Sequence, residues 1–282
     1  MAAIIDGKAI SQEIKEELKE KVQELREQGR EVTLAVILVG EDPASQVYVR
    51  NKKRACEYIG IRSLSYELAA SVTEEEVLDL IHSLNQREDV NGILVQLPLP
   101  EHLEEQKVIQ AIDPKKDVDG FHPQSVGALS IGLPGFVSCT PAGIIQLLKR
   151  SKIEIEGKHC VVVGRSNIVG KPMSLLLLRE NATVTITHSR TVDLPSVTKR
   201  ADILIVAMGK NRFITADYVK EGAVVIDVGM HRDENNKLSG DVDYDSVEPH
   251  CSAITPVPGG VGPMTIAMLM YNCVESLAIQ GK

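Results

Sequence analysis

Short runs of β-branched and aliphatic residues recur along this chain. Each is followed by a stretch whose apolar residues return every three or four positions. Ile10, Ile14, Leu18, Val22 and Leu25 share one helical face, which predicts an amphipathic helix over 9–28 stopped by Gly29. Thr33–Val39 reads TLAVILV, a continuous apolar run suited to a parallel strand buried on both faces. Asp42-Pro43 has the cap-plus-proline form of a helix start, and that helix should run to about Ile59 and end at Gly60. The same reading predicts strands at 61–68, 91–95, 159–163, 182–187, 202–207 and 223–228, and helices at 73–85, 103–111, 141–151, 170–180, 194–200 and 264–279. Such alternation implies the α/β class, with parallel sheets flanked by helices.

Two stretches break the rhythm. Asp113–Thr140 and Thr255–Pro263 are rich in Gly and Pro and show little periodicity, as functional or linking segments do. They divide the 282 residues into a first domain over 1–145 and a second over 146–262, with the last helix, 263–282, returning to pack on the first. The net charge of −8 argues against non-specific nucleic-acid binding, and six Tyr, three Phe and no Trp leave little for base stacking. The longest apolar runs, such as Leu34–Val39 and Ile203–Met208, fall far short of the roughly 20 residues a membrane helix needs. The start, MAAIIDGKAI, lacks the form of a secretory signal. Five scattered cysteines without a CxxC pair read as reduced thiols of a cytoplasmic protein and offer no zinc site; no metal is expected.

The second domain opens on a nucleotide signal. HCVVVG (159–164) continues RSNIVGKP, so a strand feeds Gly164, and Gly170 opens a helix six residues on. Glycine lets the backbone approach a pyrophosphate, and the helix start favours its charge. Ser166 stands where GxGxxG has its second glycine, so a plain βα turn is the competing reading. NAD enzymes carry a carboxylate about 20 residues further on for the ribose 2′-hydroxyl. Here that place reads Thr187-His188-Ser189-Arg190. Arg165, Ser189 and Arg190 suit a 2′-phosphate instead, which favours NADP over NAD; otherwise these arginines are solvated surface charges.

Ligands of open α/β sheets bind beyond the carboxyl ends of the strands. There Ser45, Tyr48 and Lys52 share one helical face, Gln96 follows the strand 91–95, and Asp119 lies in KKDVDG (115–120). A hydroxyl, a phenol and an amine on one face at a ligand edge could form an active site. The competing reading is an amphipathic helix with Lys52 in water.

These residues lie within seven ordered motifs: YVRNKKRAC (48–56), GILVQLPLP (92–100), KKDVDGF (115–121), CTPAG (139–143), VVVGRSNIVGKP (161–172), VVIDVGM (224–230) and TPVPGGVGPMT (255–265). Together they resemble the bifunctional methylenetetrahydrofolate dehydrogenase/methenyltetrahydrofolate cyclohydrolase family across nearly the whole chain. The resemblance implies two α/β domains around a cleft, the second a Rossmann-type doubly wound parallel sheet, assembled as a homodimer with NADP. It implies oxidation of 5,10-methylenetetrahydrofolate and hydrolysis of the methenyl product to 10-formyltetrahydrofolate, within the one-carbon supply of purine biosynthesis. By resemblance, Lys52 is the central catalytic group, Gln96 holds and tunes it, and Tyr48 stacks along the folate. Ser45 is a neighbouring polar contact and Asp119 grips the pterin. Pro258, Gly259 and Gly260 form a substrate-side wall, and Gly164, Arg165, Ser166, Ser189 and Met230 meet the cofactor. On residues alone, Lys52 with Asp119 also suits an amino-acid or shikimate-type dehydrogenase, and a non-catalytic nucleotide sensor would keep the same fold. The VQLPLP and PVPGGVGP stretches argue against the former.

Overall fold

The computed structural model describes residues 2–232 and 237–281. The chain divides into two compact units, one of residues 12–137 and 266–282, the other of residues 1–11 and 138–265.

The first unit is built on a three-stranded parallel sheet. Thr33–Val39 lies in the middle, with Arg62–Leu68 on one side and Gly92–Val95 on the other. All seven residues of the central strand are buried, as its unbroken apolar run requires. Asp42 caps the helix Pro43–Ile59, Pro43 opens it, and Gly60 closes it in the left-handed conformation at φ 96°. Thr73 and Glu76 form a reciprocal capping box at the start of Glu74–Gln86. Ala35, Ile37, Ile81, Leu84 and Ile93 form the centre of the core on one face of the sheet.

Asp117 bridges in parallel to Ile93, so the KKDVDG segment runs beside the Gly92–Val95 strand. Gly92 permits this approach, because a Cβ there would fall 2.6 Å from Val118 Cγ1. Lys116 is buried and donates to the carbonyls of Leu84, Asn85 and Arg87 at 3.1, 2.8 and 2.8 Å. It therefore caps the carboxyl end of Glu74–Gln86, where the helix dipole favours a cation.

The stretch 113–140, irregular by its sequence pattern, contains the helix Pro123–Ile131. His122 caps it and Gly132 ends it at φ 78°, but its nine residues are apolar nearly all round and carry no amphipathic period that would announce it. In the long helix Val261–Ile279, the part from residue 266 belongs to this unit. Asn272 Nδ2 donates to Val118 O at 2.8 Å and Val137 O at 3.0 Å, and Gln280 Nε2 to Asn91 O at 2.7 Å.

The second unit carries a six-stranded sheet in the order Ala3–Ile4, Cys251–Ile254, Ala223–Asp227, Ile203–Val206, His159–Val163, Thr183–Thr187. All five pairings are parallel. His159–Val163 comes first in sequence among the inner strands. The chain steps from it to one side, then returns to its other side for Ile203–Val206, which is the switch point of a doubly wound sheet. Two strands of this sheet, Cys251–Ile254 and Ala3–Ile4, lie outside the sequence expectation: they are only four and two residues long. The chain enters this unit at 137/138, whereas the sequence reading puts the boundary at 145/146, inside the helix Cys139–Arg150. Nothing in the pattern of that amphipathic helix separates 138 from 145. Lys8 N donates to Gly259 O at 2.9 Å, and a Cβ on Gly7 would fall 1.8 Å from Gly260 O, so the start of the chain packs against the 258–260 loop.

All five cysteines lie outside any disulfide and are buried. Burial pushes the thiols of Cys56, Cys160 and Cys251 up to about 12 and that of Cys273 well above its ordinary value. Among the described residues no helix is long and apolar enough to cross a membrane.

Lys116→Met should leave its carbonyl partners without that donor and cost about 3 kcal/mol of stability. The urea midpoint at unchanged m-value measures it; a midpoint equal to that of the parent would remove Lys116 from the helix cap.

Candidate active site

The Pro43–Ile59 helix sets Ser45, Tyr48 and Lys52 on one face, at the carboxyl end of the three-stranded sheet. Ser45 and Lys52 are buried and Tyr48 is half-buried. Ser45 N donates to Asp42 Oδ2 at 2.7 Å, and this bond holds the Asp42 carboxyl below its usual range. Lys52 is not the solvated lysine of the competing reading. Its Nζ donates to Gln96 Oε1 at 3.0 Å.

Gln96 follows directly on the Gly92–Val95 strand, and its N–H extends the ladder to Ile37 O at 2.8 Å. Its Nε2 donates to Leu97 O at 2.7 Å. That second bond fixes the amide, so Gln96 offers Lys52 an oxygen and not a donor. Ammonium and neutral amine both have N–H to give, so the contact survives either state.

Asp119 is half-buried beside Asp117, which is buried. Asp117 Oδ1 accepts from Phe121 N at 3.3 Å, and Oδ2 accepts from His122 N at 2.8 Å and Ser125 Oγ at 2.9 Å. Burial pushes the Asp117 carboxyl up to about 7 against these donors, and the nearby Asp119 charge adds to the rise. Asp119 and Lys52 both act electrostatically on the Cys273 thiol, with opposite signs. The structure therefore brings Lys52, Gln96 and Asp119 to one region of this unit.

In the second unit Gly164 ends the His159–Val163 strand at φ 130°. A Cβ there would lie 2.1 Å from Ala207 O, and one on Gly170 would lie 2.2 Å from Gly164 O. No larger residue fits either place without movement. Ser166 Oγ accepts from Val169 N at 3.1 Å and Gly170 N at 3.3 Å, so it holds the turn that leads into the Gly170–Arg179 helix while its own hydrogen stays available to a ligand. Arg165, Ser189 and Arg190 are exposed at the same sheet edge. Met230 is exposed, and a Cβ on Gly262 would lie 3.3 Å from its Cε, so Met230 neighbours the loop that carries Pro258, Gly259 and Gly260. These residues belong to the second unit, whereas Ser45, Tyr48, Lys52, Gln96 and Asp119 belong to the first.

The catalytic-domain model of tetrahydrofolate dehydrogenase/cyclohydrolase matches residues 5–119, and the NAD(P)-binding-domain model of the same family matches residues 138–280. The chain belongs to the tetrahydrofolate dehydrogenase/cyclohydrolase family. It is 76% identical over 97% of its length to a relative from Lachnoclostridium phytofermentans named bifunctional protein FolD, of which it covers 97%. A crystal structure of the bifunctional methylenetetrahydrofolate dehydrogenase/cyclohydrolase from Campylobacter jejuni superposes with a TM-score of 0.97 at 52% identity, covering 99% of this chain and all of that one. The Trypanosoma brucei dehydrogenase-cyclohydrolase, solved with NADP and an inhibitor, gives 0.94 at 39% identity, covering all of this chain and 99% of that one.

As a tetrahydrofolate dehydrogenase/cyclohydrolase, the chain is a bifunctional enzyme of folate one-carbon chemistry with NADP as cofactor. Its residues fit that cofactor. The Gly164–Gly170 turn leaves no room for side chains at the strand end, and Ser189 and Arg190 stand where NAD enzymes have a carboxylate, with Arg165 directly after Gly164. Sequence reasoning misses the residues that hold the family's motifs in place. Asp117 and Asn272 pin the segment around Asp119, and Asp227 and Asp241 pin the loops near Met230. Asp117 has a signal in KKDVDG, but of the two carboxylates there only Asp119 reads as functional from the motif.

The Asp117 carboxyl has a folded pKa above its ordinary value, so folding favours its protonated form. That contribution is full below about pH 4 and is lost as pH rises through about 7. Urea midpoints should therefore fall between about pH 5 and pH 8, and Asp117→Asn should flatten the slope. An unchanged slope in the variant would assign the pH dependence to another group.

Proposed function

We propose that residues 12–137 with 266–282 hold the folate and carry the proton chemistry, and that residues 138–265 hold NADP. The extents of the catalytic and NAD(P)-binding family models support this division. The observation that carries the proposal is the buried Lys52 Nζ on Gln96 Oε1, with the Gln96 amide locked by Leu97 O.

When bound, NADP⁺ supplies the acceptor for a hydride from the methylene carbon of 5,10-methylenetetrahydrofolate. No protein base is needed for that step; the chain's task is to hold and align the substrate. Tyr48 gives its ring to the flat folate, Asp119 accepts hydrogen bonds from the pterin, and Ser45 adds a polar contact. Gly164 lets the backbone approach the cofactor's phosphates, Ser166 donates its remaining hydrogen, and Arg165 and Ser189 receive the 2′-phosphate, with Arg190 beside them. Met230 meets the cofactor through its backbone.

Ring opening is where Lys52 acts. Water bonds through oxygen to the methenyl carbon and gives a proton to Lys52 Nζ, which Gln96 Oε1 holds in position. The bond from that carbon to N5 then breaks as the carbonyl forms. One of the two water protons ends on N5 and the other is released, leaving neutral 10-formyltetrahydrofolate from the methenyl cation.

A homodimer is part of the proposal. Thr183–Thr187 lies at the edge of the six-stranded sheet, and an edge strand offers unpaired backbone groups to a second copy. Exposed Leu178, Ile186 and Val192 beside it support an apolar contact there. The reduced, buried cysteines support a cytoplasmic setting, and the product supports a role in supplying purine biosynthesis.

Lys52→Met should lower cyclohydrolase turnover at least about 100-fold while dehydrogenase activity falls less. Retained ring opening, followed by loss of methenyl absorbance, would overturn the role. Arg165→Ala should raise KM for NADP⁺ about tenfold or more and leave KM for NAD⁺ nearly unmoved. Equal effects on the two cofactors would refute 2′-phosphate recognition.

A further inference from the structure

Two loops leave neighbouring strands of the six-stranded sheet at its ligand edge, one after Ile203–Val206 and one after Ala223–Asp227. Both are tied to one carboxylate. Asp241 is fully buried, and its Oδ2 accepts from Met208 N at 2.7 Å and Gly209 N at 2.9 Å. Its Oδ1 accepts from Lys210 N at 2.8 Å and lies 2.7 Å from His231 Nε2. Three successive backbone N–H groups, with Gly209 at φ 70°, form the kind of concavity that elsewhere captures an external anion. Here a side chain of the protein fills it from within.

The second loop is held as closely. Asp227 Oδ1 accepts from Gly229 N at 2.9 Å and Asp241 N at 3.0 Å, and Oδ2 accepts from Val242 N at 3.0 Å. A Cβ on Gly229 would lie 2.5 Å from the Asp241 carboxylate, and one on Gly240 would lie 1.8 Å from Asp227 Oδ2. The stretch Gly229-Met230-His231 is thus fixed at both ends, at Gly229 by Asp227 and at His231 by Asp241. Met230, between them, is exposed.

We propose that His231 and Asp241 are positioning residues of the dehydrogenase reaction, a clamp that locks the Gly209 and Met230 backbones to each other in the conformation that receives NADP. The proposal rests on the reading of Met230 as a cofactor contact. Asp241 is inaccessible, and its hydrogen-bond partners are protein groups; it acts through the loops it holds. His231 is the adjustable member, since its ring is the side-chain link from the Met230 loop to the Asp241 carboxylate. Neither residue belongs to the unit that carries Lys52, so the clamp should govern the dehydrogenase and not the cyclohydrolase.

The test compares His231→Ala, His231→Gln and Arg165→Ala in the full-length enzyme. Glutamine places an amide N–H at the reach of the histidine Nε2. His231→Ala should raise KM for NADP⁺ about tenfold, leave KM for methylenetetrahydrofolate and the cyclohydrolase rate at parent levels, and be rescued by glutamine. If Arg165→Ala raises KM for NADP⁺ and His231→Ala does not, the clamp is overturned while the cofactor site stands. If neither variant moves it, the cofactor reading fails and takes the clamp with it. A parallel fall of both activities and of the melting temperature in His231→Ala would make the contact merely structural and overturn the proposal. So would a folded glutamine variant that behaves like alanine.

Discussion

A parallel strand buried on both faces cannot return through a tight hairpin. It must leave by its carboxyl end, cross a face of the sheet, most often as a helix, and re-enter at the amino end. Every strand pairing in the two main sheets is parallel. The loops at the carboxyl edges thereby collect residues far apart in sequence. Lys52, Gln96 and Asp119 arrive on three separate segments of one unit, and Gly164, Ser189, Gly209 and Met230 follow four successive strands of the other. The chemistry follows from where those crossovers begin.

Loops so placed need holding, and both units use buried carboxylates for it. Asp117 collects the N–H groups of Phe121 and His122, and Asp241 those of Met208, Gly209 and Lys210. Each is shut away from water, where an unsatisfied charge would be costly, so its donors must stay in place. Each lies close to a more exposed residue: half-buried Asp119 beside Asp117, and exposed Met230 beside the Asp241 partner His231. Lys116 applies the same principle with the opposite charge, closing the end of Glu74–Gln86 on three carbonyls.

Periodicity makes the long elements legible. TLAVILV and HCVVV could hardly be anything but buried parallel strands, and the caps at Asp42 and Gly60 mark a helix to within a residue. Elements too short or too uniformly apolar to show a period, such as Cys251–Ile254 and Pro123–Ile131, leave no such mark. Motif spacing makes Lys52, Gln96 and Gly164 visible, because each sits at a predicted strand end or on a predicted helix face. The holding residues are opaque. Whether Asp117 or Asp119 is buried depends on the bridge to Ile93, and the link between Asp241 and Met208 spans 33 residues with no local trace.

The amino-terminal segment is a working part of the second unit. Ala3–Ile4 forms the last strand of the six-stranded sheet, Lys8 N donates to Gly259 O, and Gly7 leaves room for Gly260 O. The Pro258–Gly260 loop is thus braced by a segment some 250 positions away that would ordinarily be treated as a disposable end. Trimming the chain ahead of Ile10, or rebuilding those residues to suit a purification handle, would act as a lesion in that loop without altering any residue in it.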